Sequence, residues 1–99
     1  MPGSPLTAQE RAAFLDSHPE WSASGDTLER TIAFTDFAEA MGFVNRVALT
    51  AQAADHHPAI DIRWNRVTLR LTTHSAAALT DLDRALAEQL DGFLGTGNA

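Results

Sequence analysis

The sequence predicts a single α+β domain in which three helices pack on one face of a four-stranded antiparallel sheet, in the order α-β-β-α-β-β-α. Three segments begin with a helix-capping pattern, and two stretches between them alternate apolar and polar residues with the period of a strand. A length of 99 residues suffices for one hydrophobic core. We therefore expect one domain over residues 1–99, with residues 1–5 and 95–99 loosely held.

Each predicted helix starts at a short polar residue that is followed three positions later by an acid. Such a pair satisfies the free N–H groups of a first helical turn. The first helix should end near Asp16, because Pro19 disfavours helical geometry in His18. The three capping pairs are Thr7 with Glu10, Asp36 with Glu39, and Thr80 with Asp83.

The second and third helices each carry one apolar stripe at spacings of three and four residues, which is typical of a helix that lies on a sheet. The stripe of the second helix comprises Phe37, Met41, Val44, Val47, Ala48 and Ala51. The stripe of the third helix comprises Leu82, Leu86, Leu90 and Phe93.

Two hairpins are predicted between the helices. The first covers residues 21–34 and turns at Ser24-Gly25-Asp26. The second joins the alternating segments 60–64 and 67–72, and we expect its two-residue loop at Asn65-Arg66. The helices then cover one face of the resulting sheet.

The second hairpin is also the basis for a predicted site. With its loop at Asn65-Arg66, the strand register sets His57 opposite His74, on the face of the sheet that the helices do not cover. His56 lies beside them. An imidazole gives and takes protons near neutral pH, and neighbouring imidazoles disfavour joint protonation. This cluster therefore predicts acid–base chemistry.

Simpler interpretations of these residues stay open. Exposed histidines are common at strand ends, and His18, which precedes Pro19 in a turn, is expected to have a structural role. Asp55 either caps the end of the second helix or holds an imidazole in one tautomer.

Composition excludes several classes of function. The chain has no cysteine, so thiol nucleophiles, disulfides and cysteine zinc sites are excluded. A formal net charge of −6 disfavours binding to nucleic acid. The sequence has no pattern of a signal peptide or membrane span, so we expect a cytoplasmic protein without a membrane partner.

Several segments with fixed spacing carry a resemblance to a known family. They are Ala54-Asp55-His56-His57-Pro58, Trp64-Asn65-Arg66-Val67, Leu71-Thr72-Thr73-His74, and Leu79-Thr80 with Asp83. Together with segments 34–40 and 43–48 and the turn Pro19-Glu20-Trp21, they resemble the pterin-4a-carbinolamine dehydratase family over nearly the whole chain.

The resemblance implies an enzyme that removes water from 4a-hydroxytetrahydropterin, the product of aromatic amino-acid hydroxylases, and forms quinonoid dihydropterin. It implies a homodimer or homotetramer that needs no cofactor and no metal. The implied catalytic residues are His56, His57 and His74, of which His56 and His74 form the acid–base pair and His57 mainly binds. The implied substrate-binding residues are Asp55, His56, His57, Pro58, Thr72, Thr73, His74, Ser75 and Asp83.

Three positions depart from the family pattern. Gln52 stands where a glutamate is usual, which predicts an altered pH dependence. Trp64 replaces a common tyrosine. Ala78 stands where a glycine usually precedes Leu79, and it would be strained if its backbone required a positive φ.

Two other classes of function remain as alternatives. The histidines with Asp55 or Asp83 could form a zinc-type site, although neighbouring residues in a strand point apart. Proteins similar to this family also act as transcription cofactors or as assembly factors of a carboxylase, so a binding module without catalysis is the second alternative.

Overall fold

The structure is a computed structural model that describes residues 3–95. It confirms the predicted fold class and element order. Among the residues described, none of the helices has the length and apolar character that a membrane span needs. The helices are α1 (Ala8–Ser17), α2 (Phe37–Ala54) and α3 (Asp81–Gly95), and the strands are β1 (Ser22–Ser24), β2 (Thr27–Ala33), β3 (Ala59–Arg63) and β4 (Arg66–Leu71).

The predicted capping pairs form at the starts of the helices. The hydroxyl of Thr7 accepts the N–H of Glu10 at 3.0 Å, and the Glu10 carboxylate accepts the N–H of Thr7 at 2.9 Å. At α3 the carboxylate of Asp83 accepts the N–H of Thr80 at 2.9 Å. Asp36 caps α2 in the same manner. These local bonds explain why each helix begins where the sequence predicts.

The four strands form one antiparallel sheet in the order β1-β2-β4-β3. The central strand β4 turns Val67, Leu69 and Leu71 into the core, where all three are fully buried. Buried residues of all three helices join them in one cluster. On the other face the exposed hydroxyls of Thr31 and Thr68 lie 2.9 Å apart. The helices thus cover one face, as predicted.

The loop of the second hairpin differs from the prediction. Arg63 pairs with Arg66, so the loop is Trp64-Asn65 and the predicted loop at Asn65-Arg66 is wrong. Trp64 takes a left-handed backbone with φ 52° and is 70% exposed. The side-chain amide of Asn65 donates to the carbonyl of Phe34 at 2.8 Å. This tertiary bond ties the loop to the end of β2.

The strand pairing ends before it reaches the histidines. The last pair of β3 and β4 is Ala59 with Arg70. The predicted cross-strand pairing of His57 with His74 is therefore wrong. The chain instead leaves the sheet through a single 3₁₀ turn that begins at His74.

The buried stripe of α2 is only partly the predicted one. It consists of Ala40, Phe43, Val47 and Ala51, whereas Phe37 is 51% exposed. The predicted and observed rows are neighbours on the helix surface. Because alanine fits either a buried or an exposed position, the spacing pattern did not decide which row faces the sheet.

The described residues near the amino terminus contact the start of α3. The N–H groups of Gly3 and Ser4 donate to the carboxylate of Asp81 at 3.1 and 2.9 Å. Gly3 and Ser4, which belong to the segment 1–5 that was expected to be loosely held, are thus bonded to α3. Residues 1, 2 and 96–99, which share that expectation, lie outside the described residues.

Candidate active site

Of the three predicted histidines, His56 is bonded to the carboxylate of Asp83 in the first turn of α3. Asp83 is fully buried. Its Oδ2 accepts the N–H of Thr80 at 2.9 Å and the hydroxyl of Thr73 at 2.8 Å. Its Oδ1 lies 2.6 Å from Nε2 of His56. A buried carboxylate is costly unless it is hydrogen-bonded, and these three donors satisfy it.

Asp83 joins three separate segments of the chain. His56 follows α2, Thr73 follows β4, and Asp83 itself begins α3. Two hydrogen bonds to one carboxylate therefore hold His56 close to Thr73, the residue before His74. The structure brings the His56 and His74 segments together by this route and not by the predicted strand register.

The bond to Asp83 defines the tautomer of His56. An ionised carboxylate only accepts hydrogen bonds, so Nε2 of His56 carries a proton. In the neutral ring Nδ1 is then the nitrogen that can accept one. The His56 side chain keeps 11% of its surface exposed, whereas that of Asp83 keeps none. Asp83 therefore holds the ring of His56 in one orientation, and Nδ1 is the nitrogen that can accept a proton.

His57 contacts a helix. Its Nε2 lies 3.2 Å from the Oε1 atom of Gln52, near the end of α2. The prediction that His57 lies on the face away from the helices is therefore wrong. The physical reason is that His57 precedes β3 and is not part of the sheet. Its partner is a neutral amide and not a carboxylate.

His74 is exposed, and no other side chain in residues 3–95 bonds its ring. Its carbonyl accepts the N–H of Ala77 at 3.1 Å within the 3₁₀ turn. Ser75, next in the turn, is also exposed. Two residues before His74, the hydroxyl oxygen of Thr72 is buried without a hydrogen-bond partner among the described atoms. This segment therefore presents an exposed imidazole, whereas the hydroxyl oxygen of Thr72 is enclosed by the protein.

Asp55 forms the cap of α2, the first of its two predicted roles. Its backbone is left-handed, with φ 53°, and its N–H donates to the carbonyl of Gln52 at 3.2 Å. The second predicted role, to hold an imidazole in one tautomer, is performed for His56 by Asp83. Pro58 lies half-buried between this cap and β3.

A family profile matches most of the chain. Residues 4–93 match the profile of the family described as Pterin 4 alpha carbinolamine dehydratase. The chain belongs to this family. The matched range includes His56, His57 and His74.

Individual relatives span most of the chain. A protein of Thermomicrobium roseum is 54% identical over 79 residues, which cover 80% of this chain and 85% of that protein. A protein of Chloroflexus aurantiacus is 47% identical over 90 residues, which cover 91% of this chain and 97% of that protein. Both proteins carry the family's name.

Two solved structures share the fold. A transcriptional coactivator/pterin dehydratase from Brucella melitensis has a TM-score of 0.85 at 33% identity, covering 90% of this chain and 97% of its own. A pterin dehydratase-like protein identified as a RuBisCO assembly factor in the α-carboxysome has a TM-score of 0.63 at 21% identity, covering 76% and 87%. The second similarity shows the fold alone.

The departures from the family pattern have defined positions in the structure. The left-handed residue in the 3₁₀ connection is Ala77, with φ 51°, and not Ala78, which the sequence singled out. Trp64 lies in the exposed loop of the second hairpin. Gln52 contacts His57. Of the three departures, Gln52 bonds directly to a histidine of the cluster.

Asp83 has a different place from the one predicted for it. It was predicted to bind substrate, but its carboxylate is fully buried and bonded to protein groups on both oxygens. Sequence reasoning treated Asp83 as a capping residue with Thr80, as a possible metal ligand and, by resemblance, as a substrate-binding residue, and it missed the bond to His56. A contact between residues 27 positions apart leaves no local pattern in a sequence.

Metal-binding geometry and clefts complete the description of the site. In residues 3–95 no three His, Cys, Asp or Glu side chains lie close enough to hold one metal ion. Four clefts of about 290 to 530 Å³ are present in this part of the chain, and none of the four is lined by His56, His57 or His74. The histidines therefore lie outside these clefts.

Proposed function

We propose that this protein is a hydro-lyase that removes water from 4a-hydroxytetrahydropterin and forms quinonoid dihydropterin. The observation that carries the proposal is the buried Asp83 carboxylate, which bonds His56 and Thr73 and so holds the two histidine segments together. Membership of the pterin dehydratase family supports the substrate class. The substrate would come from an aromatic amino-acid hydroxylase.

His56 and His74 are the acid–base pair of this proposal. The C4a–O bond breaks, and the leaving hydroxyl takes a proton from His74 and departs as water. N5 gives its proton to Nδ1 of His56, and the electron pair of that N–H bond forms the N5=C4a double bond. The fixed Nε2–H of His56 leaves Nδ1 as the accepting atom.

Asp83 is a positioning residue in this scheme. It holds the ring of His56 in one tautomer and stabilises the imidazolium that forms when Nδ1 takes the proton. Because Asp83 is fully buried, it acts through His56 and does not contact the pterin.

The remaining predicted residues form the pterin surface. His57 binds the substrate, steadied by Gln52. Thr72 belongs to this surface because family membership supports it, and its hydroxyl oxygen is buried in the chain without a bound pterin. The hydroxyl of Thr73 is engaged by Asp83, and its N–H and carbonyl are bonded within the 3₁₀ connection. Thr73 therefore supports this surface by holding the segment before His74 in place. The other residues of this surface are Asp55, Pro58, His74 and Ser75.

A cytoplasmic homodimer or homotetramer is the assembly that we propose. Edge strands β1 and β3 leave backbone groups available for pairing with another copy. Gel filtration with light scattering measures this directly. A monomer at micromolar concentration would contradict the proposed assembly without affecting the catalytic scheme.

A stopped-flow dehydration assay with single histidine variants tests the function. We expect His56→Ala and His74→Ala each to lower kcat by about 10²- to 10⁴-fold, because each removes one proton-transfer group. His57→Ala should mainly raise KM. The matched control is His18→Ala, since His18 bonds Asp91 and is not in the cluster.

Two outcomes would contradict the proposal. Unchanged rates in all three cluster variants would remove the histidines from the chemistry. Failure of the unaltered protein to dehydrate a hydroxypterin would instead favour a binding module of the same fold, such as a transcription cofactor or a carboxylase assembly factor.

A further inference from the structure

A separate cleft of about 530 Å³ is lined by residues of β2, α2 and α3 and by the connection between β2 and α2. It shares no residue with the histidine cluster. Its volume lies in the range of about 300 to 1,000 Å³ that small-molecule sites occupy. Its apolar wall is formed mainly by Phe34, Phe43 and Phe93, and its positive charges are those of Arg30 and Arg46.

Arg46 is held in place without a counter-ion. Its guanidinium carbon lies 4.1 Å above the centre of the Phe93 ring. Within residues 3–95 it has no ion pair and no side-chain hydrogen bond. Arg46 is exposed, so its donors are accessible to a ligand. The contact with the aromatic ring orients the planar guanidinium group of Arg46, while its N–H donors stay free.

Arg30 is already paired within the protein. One of its terminal nitrogens donates to Asp91 at 2.7 Å. Its Nε atom is buried, so a ligand in the cleft does not reach it. Of the two guanidinium groups that line the cleft, that of Arg46 is therefore the one with donors free for a bound anion.

The charges in the cleft are separated along α2. Glu39 lies seven residues before Arg46, which corresponds to about 10 Å along a helix axis. Its carboxylate is already engaged by the N–H of Thr35 at 2.7 Å. An anionic group would therefore bind at the arginine end, and the body of the ligand would lie on the phenylalanine rings.

We propose that this cleft binds a small aromatic carboxylate, with its ring against Phe34 and Phe43 and its carboxylate on Arg46. A guanidinium and a carboxylate have matching planar geometry, and two such groups commonly form paired hydrogen bonds. The site is independent of the dehydratase chemistry proposed for the histidines.

The test is an NMR titration of the full chain with 3-phenylpropionate, followed through backbone amides and arginine Nε–H signals. We expect saturable shifts confined to the cleft, with a Kd of roughly millimolar order for a ligand of this size. The uncharged analogue 3-phenylpropionamide should bind about tenfold more weakly, because it lacks the charge-assisted bonds.

Variants decide whether Arg46 carries the affinity. Arg46→Gln should weaken binding of 3-phenylpropionate about tenfold. The control Arg63→Gln removes an equal charge from an arginine on β3 that is 82% exposed and outside the cleft, and it should leave the Kd unchanged. The proposal is overturned if shifts fail to saturate at roughly tens of millimolar, if the amide binds equally well, or if Arg46→Gln binds like the parent.

Discussion

At the scale of single residues, Asp83 combines a structural and a chemical task. Its carboxylate caps α3 through Thr80 and fixes the tautomer of His56. The same burial that makes the carboxylate costly without partners also makes its bonds strong. This one carboxylate therefore joins the start of α3 to the imidazole of His56.

Asp83→Asn should lower the dehydration rate while it keeps the volume of the side chain. We expect a loss of about 10- to 100-fold in kcat, typical of a residue that orients a functional histidine. Stopped-flow dehydration rates measure this loss.

The control for this prediction is Asp81→Asn, which changes the neighbouring acid of the same helical turn. Asp81 bonds the N–H groups of Gly3 and Ser4 and is not bonded to a histidine. A variant at Asp83 that keeps the parent's rate would show that the bond to His56 has no part in the reaction.

Gln52→Glu should change the pH dependence without abolishing activity. A carboxylate at this position would lie near Nε2 of His57, which the amide oxygen now approaches at 3.2 Å. Because a carboxylate favours the protonated form of a neighbouring imidazole, we expect the pH profile of kcat/KM to differ from that of the parent. Gln9→Glu adds the same charge on exposed α1 and should leave the profile unaltered.

At the scale of elements, the connection between β4 and α3 carries backbone strain. Ala77 is left-handed with φ 51°, a conformation that disfavours any residue with a Cβ atom. The hydrogen bond from its N–H to the His74 carbonyl closes the 3₁₀ turn in this geometry. The turn that positions His74 therefore keeps a conformation that glycine would adopt more readily.

Ala77→Gly should stabilise the protein. Relief of the left-handed strain outweighs the added chain entropy of glycine, so we expect a gain of about 0.5 to 1 kcal/mol in the free energy of unfolding. Urea unfolding measures it. Ala76→Gly, one position earlier, where φ is not positive, should instead destabilise by a similar amount. Equal effects of the two substitutions on the free energy of unfolding would contradict the presence of backbone strain at Ala77.

The second hairpin shows the limit of pattern reasoning for an element. Its alternation correctly predicted two strands, because the period of two is a property of each strand alone. The loop position was wrong by one residue, since it depends on the bond from Asn65 to Phe34, 31 residues away. A shift of this size changes which residues face each other across the whole hairpin.

At the scale of the whole molecule, Asp91 links α3 to two other parts of the chain, the segment between α1 and β1 and the strand β2. Its carboxylate in α3 accepts hydrogen bonds from Trp21 and Arg30 at 2.9 and 2.7 Å, and Nδ1 of His18 lies 2.9 Å away. The ring of His18 also stacks on Phe14 of α1. The structural role predicted for His18 agrees with these contacts.

Asp91→Asn should weaken the fold as a whole. The variant keeps the shape of the side chain but loses the charge that faces Arg30, so we expect a loss of about 1 to 3 kcal/mol in the free energy of unfolding. Chemical denaturation followed by Trp21 fluorescence measures it. Asp16→Asn, an exposed acid on α1, should change stability little, and an equal loss there would contradict the role of Asp91.

By itself the sequence determined the three helices, the two hairpins and the fold class, and it predicted His56, His57 and His74 as the candidate site. Capping pairs and apolar periodicity act within a few residues, so they can be interpreted without coordinates. Only the tertiary structure decided how the histidines are held, which nitrogen of His56 is free, and which row of α2 is buried. These features depend on contacts between distant segments, above all the bond from Asp83 to His56.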